Sequence, residues 1–222
     1  VTYPDMKTPD EVAEAAHYIR FLTRSTGKVR MGIGAAREDV NVSIRGGTRA
    51  EIKGVAHINQ IPELTHNEAF RQKSFLEIRD ELLTRMPDWQ DWKIHHIVVN
   101  GALLKTTSIQ VREAENKGYR LVAVNLPGFR GILSFFNQPG RMFADEISDR
   151  LKVIACIEKP NMTHSEEFRP EKSRDNFDSI RDLLNAGEED AQILFWGPEE
   201  DIATGLETIE ELGFFARVEI EP

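Results

Sequence analysis

The residues best suited to chemistry lie in one stretch, Ala36 to Gly54, which reads AREDVNVSIRGGTRAEIKG. Asp39, Glu51 and Asn41 are hard oxygen donors of the kind magnesium prefers, and Arg37 and Lys53 are suited to phosphate oxygens. Together they point to phosphoryl transfer, where a protein mostly positions groups and stabilises charge and needs no Walker loop. The competing reading is that these side chains form the solvated outer face of an ordinary hairpin, as in most antiparallel sheets.

Two strands must position them. Val40, Val42 and Ile44 alternate with Asp39, Asn41, Ser43 and Arg45, which is the period of a half-buried strand. Beyond Gly46, Gly47 and Thr48, the residues Arg49, Glu51 and Lys53 alternate with Ala50 and Ile52, so a second strand returns beside the first. A three-residue glycine loop closes such a hairpin. It sets Val42 against Ile52, Ile44 against Ala50, Asn41 against Lys53, Ser43 against Glu51 and Arg45 against Arg49. A two-residue turn would mix the faces, which burial on one side forbids.

Other chemistries find little support. His95 and His96 are adjacent and point to opposite faces of a strand, and His17, His57, His66 and His164 show no metal-ligand spacing. The sequence has no Walker A motif, no GxSxG elbow and no cysteine pair. The glycines of GIGAA, Gly32 to Ala36, read as a turn. Cys156 is the single cysteine, so an internal disulfide is excluded. Its apolar neighbours Val153, Ile154, Ala155 and Ile157 suggest a packed thiol in a reducing compartment.

A net charge of −9 argues against non-specific nucleic-acid binding. The charge is unevenly spread: Arg20, Arg24, Lys28, Arg30, Arg37, Arg45, Arg49 and Lys53 gather in the first quarter, and acidic runs such as Gly187 to Asp190 lie late. No run approaches the ~18 apolar residues that would span a bilayer, and no signal-peptide pattern opens the chain, so a cytoplasmic location is expected.

The remaining elements follow in order. Thr8, Pro9 and Glu11 form a helix start with a capping box; Val12, Ala15, Ala16, Ile19 and Leu22 make an apolar stripe; Gly27 ends the helix. A second helix runs from near Pro62 toward Met86 with Phe75, Ile78 and Leu82 at helical spacing, and Pro87 stops it. Trp89 and Trp92 read as packing anchors at a junction. Strands are expected at IHHIVVN, YRLVAVNL, KVIACI, AQILFWG and FFARVEI. Helices are expected at 107–117, 142–152, 177–186 and 198–213, the last with Gly213 as C-cap, and a loop at 158–176. The class is α+β, with a partly antiparallel first domain over residues 1–90 and a mixed α/β domain over 93–222.

Beyond residue types, REDVNVSIRGGTRAEIKG resembles the motif pair R-x-D-V-N-V-S and E-I-K in the catalytic cradle of the GatB/GatE family of tRNA-dependent amidotransferase subunits. TYPDMKTPDEV is similar to the cradle segment just before it, and GIGAAREDVNVSIRGG with EIKGV is closer to the archaeal GatE branch. KGYRLVAVNLPGF, QPGRMFADEISDRLKV and GEEDAQILFWGPEE resemble the insertion (GAD) domain that GatE shares with bacterial aspartyl-tRNA synthetases, whereas IACIEKPNMTHSEEFRPEKSRDN departs from it.

The resemblance implies a ligase component that uses ATP and magnesium to phosphorylate the γ-carboxylate of glutamate on tRNA(Gln). Ammonia released by a GatD partner then gives Gln-tRNA(Gln). It assigns Asp39 and Glu51 to the metal, Arg37 and Lys53 to phosphate charge, and Asn41 and Ser43 to orientation. It also implies further metal ligands upstream and tRNA-gripping domains downstream, so that this piece alone is expected to be inactive. The alternative is an interaction module that contacts tRNA or packs subunits without chemistry of its own.

Overall fold

A computed structural model describes residues 3–32, 35–88, 90–104, 108–168 and 177–218. Trp89, the expected helix start at Thr107, positions 169–176 of the expected loop and the last residues of the final expected strand lie outside the described residues. The fold is α+β and divides into two units, one up to Leu76 and one from Glu77 onward.

The first unit begins with helix α1 (Pro9–Ser25), whose start is set as the sequence implies. Thr8 Oγ1 accepts from the Glu11 N–H, and the Glu11 carboxylate accepts from the Thr8 N–H, so two otherwise orphaned donors are satisfied reciprocally. Gly27 follows the helix with φ 67°.

Strands β1 (Glu38–Val42) and β2 (Ala50–Val55) pair antiparallel. Their core is Ala16, Val40, Val55, Ile58 and Ile61, flanked by Val12, Ala13, Val42, Ile52 and Leu64. This small apolar supply covers only the N-terminal half of α1. Ile19 and Leu22, expected in the buried stripe, are 43% and 53% exposed, beside exposed Tyr18 and Phe21.

The hairpin keeps the expected faces but not the expected partners. Val40 faces Ile52, Asn41 faces Glu51 and Val42 faces Ala50, a shift of two residues that lengthens the connection to residues 43–49. Because the shift is even, apolar still meets apolar. Its cause lies in helix α2 (Ile61–Arg85), whose Gln72 donates from Nε2 to Val42 O and accepts at Oε1 from the Ile44 N–H, each at 3.1 Å. These bonds satisfy the strand backbone that a longer ladder would have used.

The second unit takes up the C-terminal part of α2, where Ile78 and Leu82 are fully buried. It continues with β3 (His95–Val99), α3 (Gly101–Leu104), α4 (Ile109–Asn116), β4 (Arg120–Leu126), β5 (Phe136–Gln138), β6 (Arg141–Met142) and α5 (Phe143–Val153). Then come β7 (Met162–His164), α6 (Phe177–Leu184), β8 (Ala191–Gly197) and α7 (Ile202–Val218). The sheet runs β3-β4-β8-β7 with every pairing antiparallel.

One face of this sheet packs Leu121, Ala123, Leu194 and Trp196 against Val111, Ala114 and Ile180 of α4 and α6. On the other, Gly205 of α7 lies against the Phe195 ring. Trp92 donates from Nε1 to Pro127 O and stacks at 5.4 Å on Phe129, which fits the anchor reading.

Four expectations in this unit are corrected. KVIACI is not a strand: buried Phe143, Ala144, Ile147 and Leu151 recur at helical spacing and carry α5 through Val153. Cys156, just beyond, has φ 58° and is exposed, so its thiol is not packed. The expected loop contains β7, a strand whose buried Thr163 and His164 conceal it from any hydrophobic pattern. Gly213 is no C-cap, because Ile209, Leu212 and Ala216 continue one buried helical stripe to Val218 in place of the FFARVEI strand. Its glycine is required by approach: a Cβ there would stand 2.4 Å from Trp92 Cη2.

Candidate functional site

The exposed face of the β1–β2 hairpin gathers the six residues singled out in the sequence. Asp39, Asn41 and Ser43 on or just past β1, Glu51 and Lys53 on β2, and Arg37 just ahead of β1 are all exposed, while Val40 and Val55 on the opposite face are buried.

The face is not a plain ladder. Between the pairs Glu38–Val55 and Val40–Ile52 the register slips, so that Lys53 and Gly54 together oppose Asp39. This is a β-bulge with glycine in the left-handed region, Gly54 having φ 75°. The bulge turns the Gly54 N–H toward Asp39, whose Oδ1 accepts it at 2.9 Å. Asp39 is thereby fixed through one oxygen, and its second oxygen remains for a ligand. The stem of Arg37 lies over Gly54, its Cδ 3.9 Å from where a Cβ would stand.

Neighbouring contacts fix the rest. Arg49 Nη1 donates to Asn41 Oδ1 at 3.1 Å. Lys53 Nζ stands 3.6 Å from Glu51 Oε2, with the lysine side chain 73% exposed. Such an exposed pair contributes only about 0–1 kcal/mol and holds neither charge firmly, so both remain available to a ligand. Asp39 and Glu51 are diagonal neighbours on one face, a separation long side chains bridge.

The sequence did not point to Glu38, Arg49 or Gln72 as parts of this arrangement. Glu38 is half-buried beneath the face, and burial pushes its carboxyl up despite the opposing pull of His17 and Arg20 on α1. Its signal was hidden because alternation alone assigns no partner across elements. Arg49 lost its expected partner Arg45 through the register shift, and Gln72 lies far away in sequence.

Magnesium is commonly bound by one or two carboxylates, with waters and substrate phosphates completing the shell. Asp39 Oδ2 and Glu51 fit that description, and among the described residues no three histidine, cysteine or carboxylate side chains form a complete metal cluster. The arrangement suits a metal shared with a bound phosphate rather than a closed structural site.

The chain belongs to the GatB/GatE catalytic domain family, whose model matches residues 1–143. Among curated relatives, a glutamyl-tRNA(Gln) amidotransferase subunit of the GatE branch from Methanopyrus kandleri is 35% identical over 217 residues, 97% of this chain and 33% of the relative. The protein of the same name from Methanocaldococcus jannaschii is 36% identical over 211 residues, covering 95% of this chain and 33% of the relative. That from Pyrococcus furiosus is 36% identical over 200 residues, 90% of this chain and 31% of its own. The chain thus spans about a third of the length of the curated relatives it matches. Among the described residues, no helix is long and apolar enough to cross a membrane.

Proposed function

We propose that this chain is the hairpin-bearing part of an ATP-dependent Glu-tRNA(Gln) amidotransferase subunit, acting in protein biosynthesis with a GatD-type ammonia-releasing partner. The observation that supports the reading is the bulged hairpin face, where two carboxylates, two cations and two orienting polar groups share one exposed surface. In this reading the γ-carboxylate of tRNA-bound glutamate attacks the terminal phosphorus of ATP and ADP leaves. Ammonia then displaces phosphate from the acyl phosphate to form the amide.

Asp39 and Glu51 would hold magnesium, which when bound offsets phosphate charge. Asp39 enters the site with its carboxylate already oriented by the Gly54 N–H. Arg37 and Lys53 attract and neutralise the transferring phosphoryl oxygens, and the guanidinium offers a planar pair of donors that lysine cannot. Asn41, steadied by Arg49, and Ser43 orient the nucleotide. We place the reaction in the full-length protein, with this chain inactive by itself. We read the second unit as the GAD insertion domain, engaged in packing within the assembly or against tRNA.

Calorimetric titration of Mg-ATP into the full-length protein tests the assignment. The parent should bind, and an Asp39→Ala/Glu51→Ala double variant with unchanged melting behaviour should not. Equal affinity in both would remove the hairpin from the nucleotide site and favour an interaction module.

A further inference from the structure

Gln72 lies in the middle of α2 and is 1% exposed, yet both ends of its amide are aimed at the hairpin. Oε1 accepts from the Ile44 N–H, and Nε2 donates to Val42 O at 3.1 Å and to Glu68 Oε1 at 2.9 Å. The two backbone groups it takes flank one residue, Ser43. Gln72 therefore brackets the peptide units on either side of Ser43 and fixes where β1 leaves the ladder. Only a carboxamide can do this, since it must accept at one atom and donate twice at the other. Glu68 is held in turn at 3.5 Å from Arg71, both side chains being nearly buried, so the amide is anchored from the helix side as well.

The loop is built around the same contact. At Gly47 an added Cβ would lie 2.6 Å from Gln72 Oε1 and 3.1 Å from Ile44 Cγ1. Glycine at this position leaves the carboxamide room to reach Ile44.

We propose that Gln72 is a positioning residue for the nucleotide site, holding Ser43 and the hairpin tip in register with Asp39 and Glu51. This rests on the reading of the hairpin face as a Mg-ATP site. Gln72 touches neither nucleotide nor metal; it acts through the backbone on both sides of Ser43. Replacement by methionine keeps the length and burial of the side chain while removing both backbone bonds. Gly47→Ala reaches the same end without altering Gln72, because its methyl displaces Oε1, the far end of a flexible side chain.

The test uses the full-length amidotransferase with Gln72→Met, Gly47→Ala and Asp39→Ala, assayed below the melting temperature of each and normalised to folded enzyme. Gln72→Met and Gly47→Ala should each lower kcat/KM for Mg-ATP on the order of 10- to 100-fold, as expected for small misplacements of a site. KM for Glu-tRNA(Gln) should stay unchanged, and the Ile44 amide should exchange with solvent faster. A lowered melting temperature with kcat/KM for Mg-ATP intact in both variants would show a merely structural role and overturn the proposal. If Gln72→Met fails to fold, Gly47→Ala decides alone. Loss of activity in Asp39→Ala with normal kinetics in the other two would overturn the role of Gln72 only, whereas normal kinetics in Asp39→Ala would overturn the site itself.

Discussion

Replacing Gly54 by alanine isolates the contribution of the bulge. The backbone at Gly54 has φ 75°, and the added methyl would meet only Arg37 Cδ at 3.9 Å, an ordinary contact. Steric clash with neighbours is therefore absent, and the cost is conformational: holding an L-residue in the left-handed region takes about 1–2 kcal/mol. The hairpin should answer either by carrying that strain or by abandoning the bulge and the Gly54 N–H bond to Asp39. In both cases local opening becomes easier by about 1–2 kcal/mol, a factor of 5–30 in population. Native-state hydrogen exchange reads this directly at the β1 and β2 amides, and Gly54→Asn should recover part of the protection because asparagine tolerates this region. Unchanged protection in Gly54→Ala would refute the argument that the bulge depends on glycine.

Other outcomes follow from the same geometry. Gly213→Ala should lower the melting temperature of the second unit. Overpacking against the buried Trp92 ring costs about 1–3 kcal/mol, more than the roughly 1 kcal/mol that alanine gains in a helix interior, and a raised melting temperature would contradict this. Glu11 and Glu38 should respond to pH with opposite signs. The backbone N–H groups of Lys7 and Thr8 hold Glu11 low, so its contribution to α1 is present above the ordinary carboxylate range and lost as pH falls through its folded pKa. Burial raises Glu38, so its contribution is present below the ordinary range and lost as pH rises through its folded pKa; Glu38→Gln should abolish that loss in hairpin amide protection. Cys156, being exposed, should react stoichiometrically with an aqueous thiol reagent in the native chain, where a packed thiol would not.

The parts of the fold written into the sequence are those with local signals. The Thr8 capping box, the apolar spacing of Phe75, Ile78 and Leu82, and the unbroken apolar runs of β4 and β8 all appear where their patterns place them. The polar face of the hairpin was legible for the same reason, since period-two alternation survives an even register shift. Information that resides in a distant residue was not legible. Gln72 ends the ladder early, Trp92 explains Gly213, and pairing with β8 makes a strand of the polar Met162–His164 segment. KVIACI shows the opposite failure, in which β-branched composition suggested a strand although the preceding helix carries through Val153.

The most direct test of the hairpin as a phosphoryl-transfer surface is a single-turnover measurement of γ-phosphate transfer from ATP to Glu-tRNA(Gln) by the full-length enzyme, parent against Asp39→Ala. The account predicts a loss on the order of 10²- to 10³-fold, the scale for removing one preorganised electrostatic contact, with Glu-tRNA(Gln) binding unchanged. Transfer at the parent rate would contradict it.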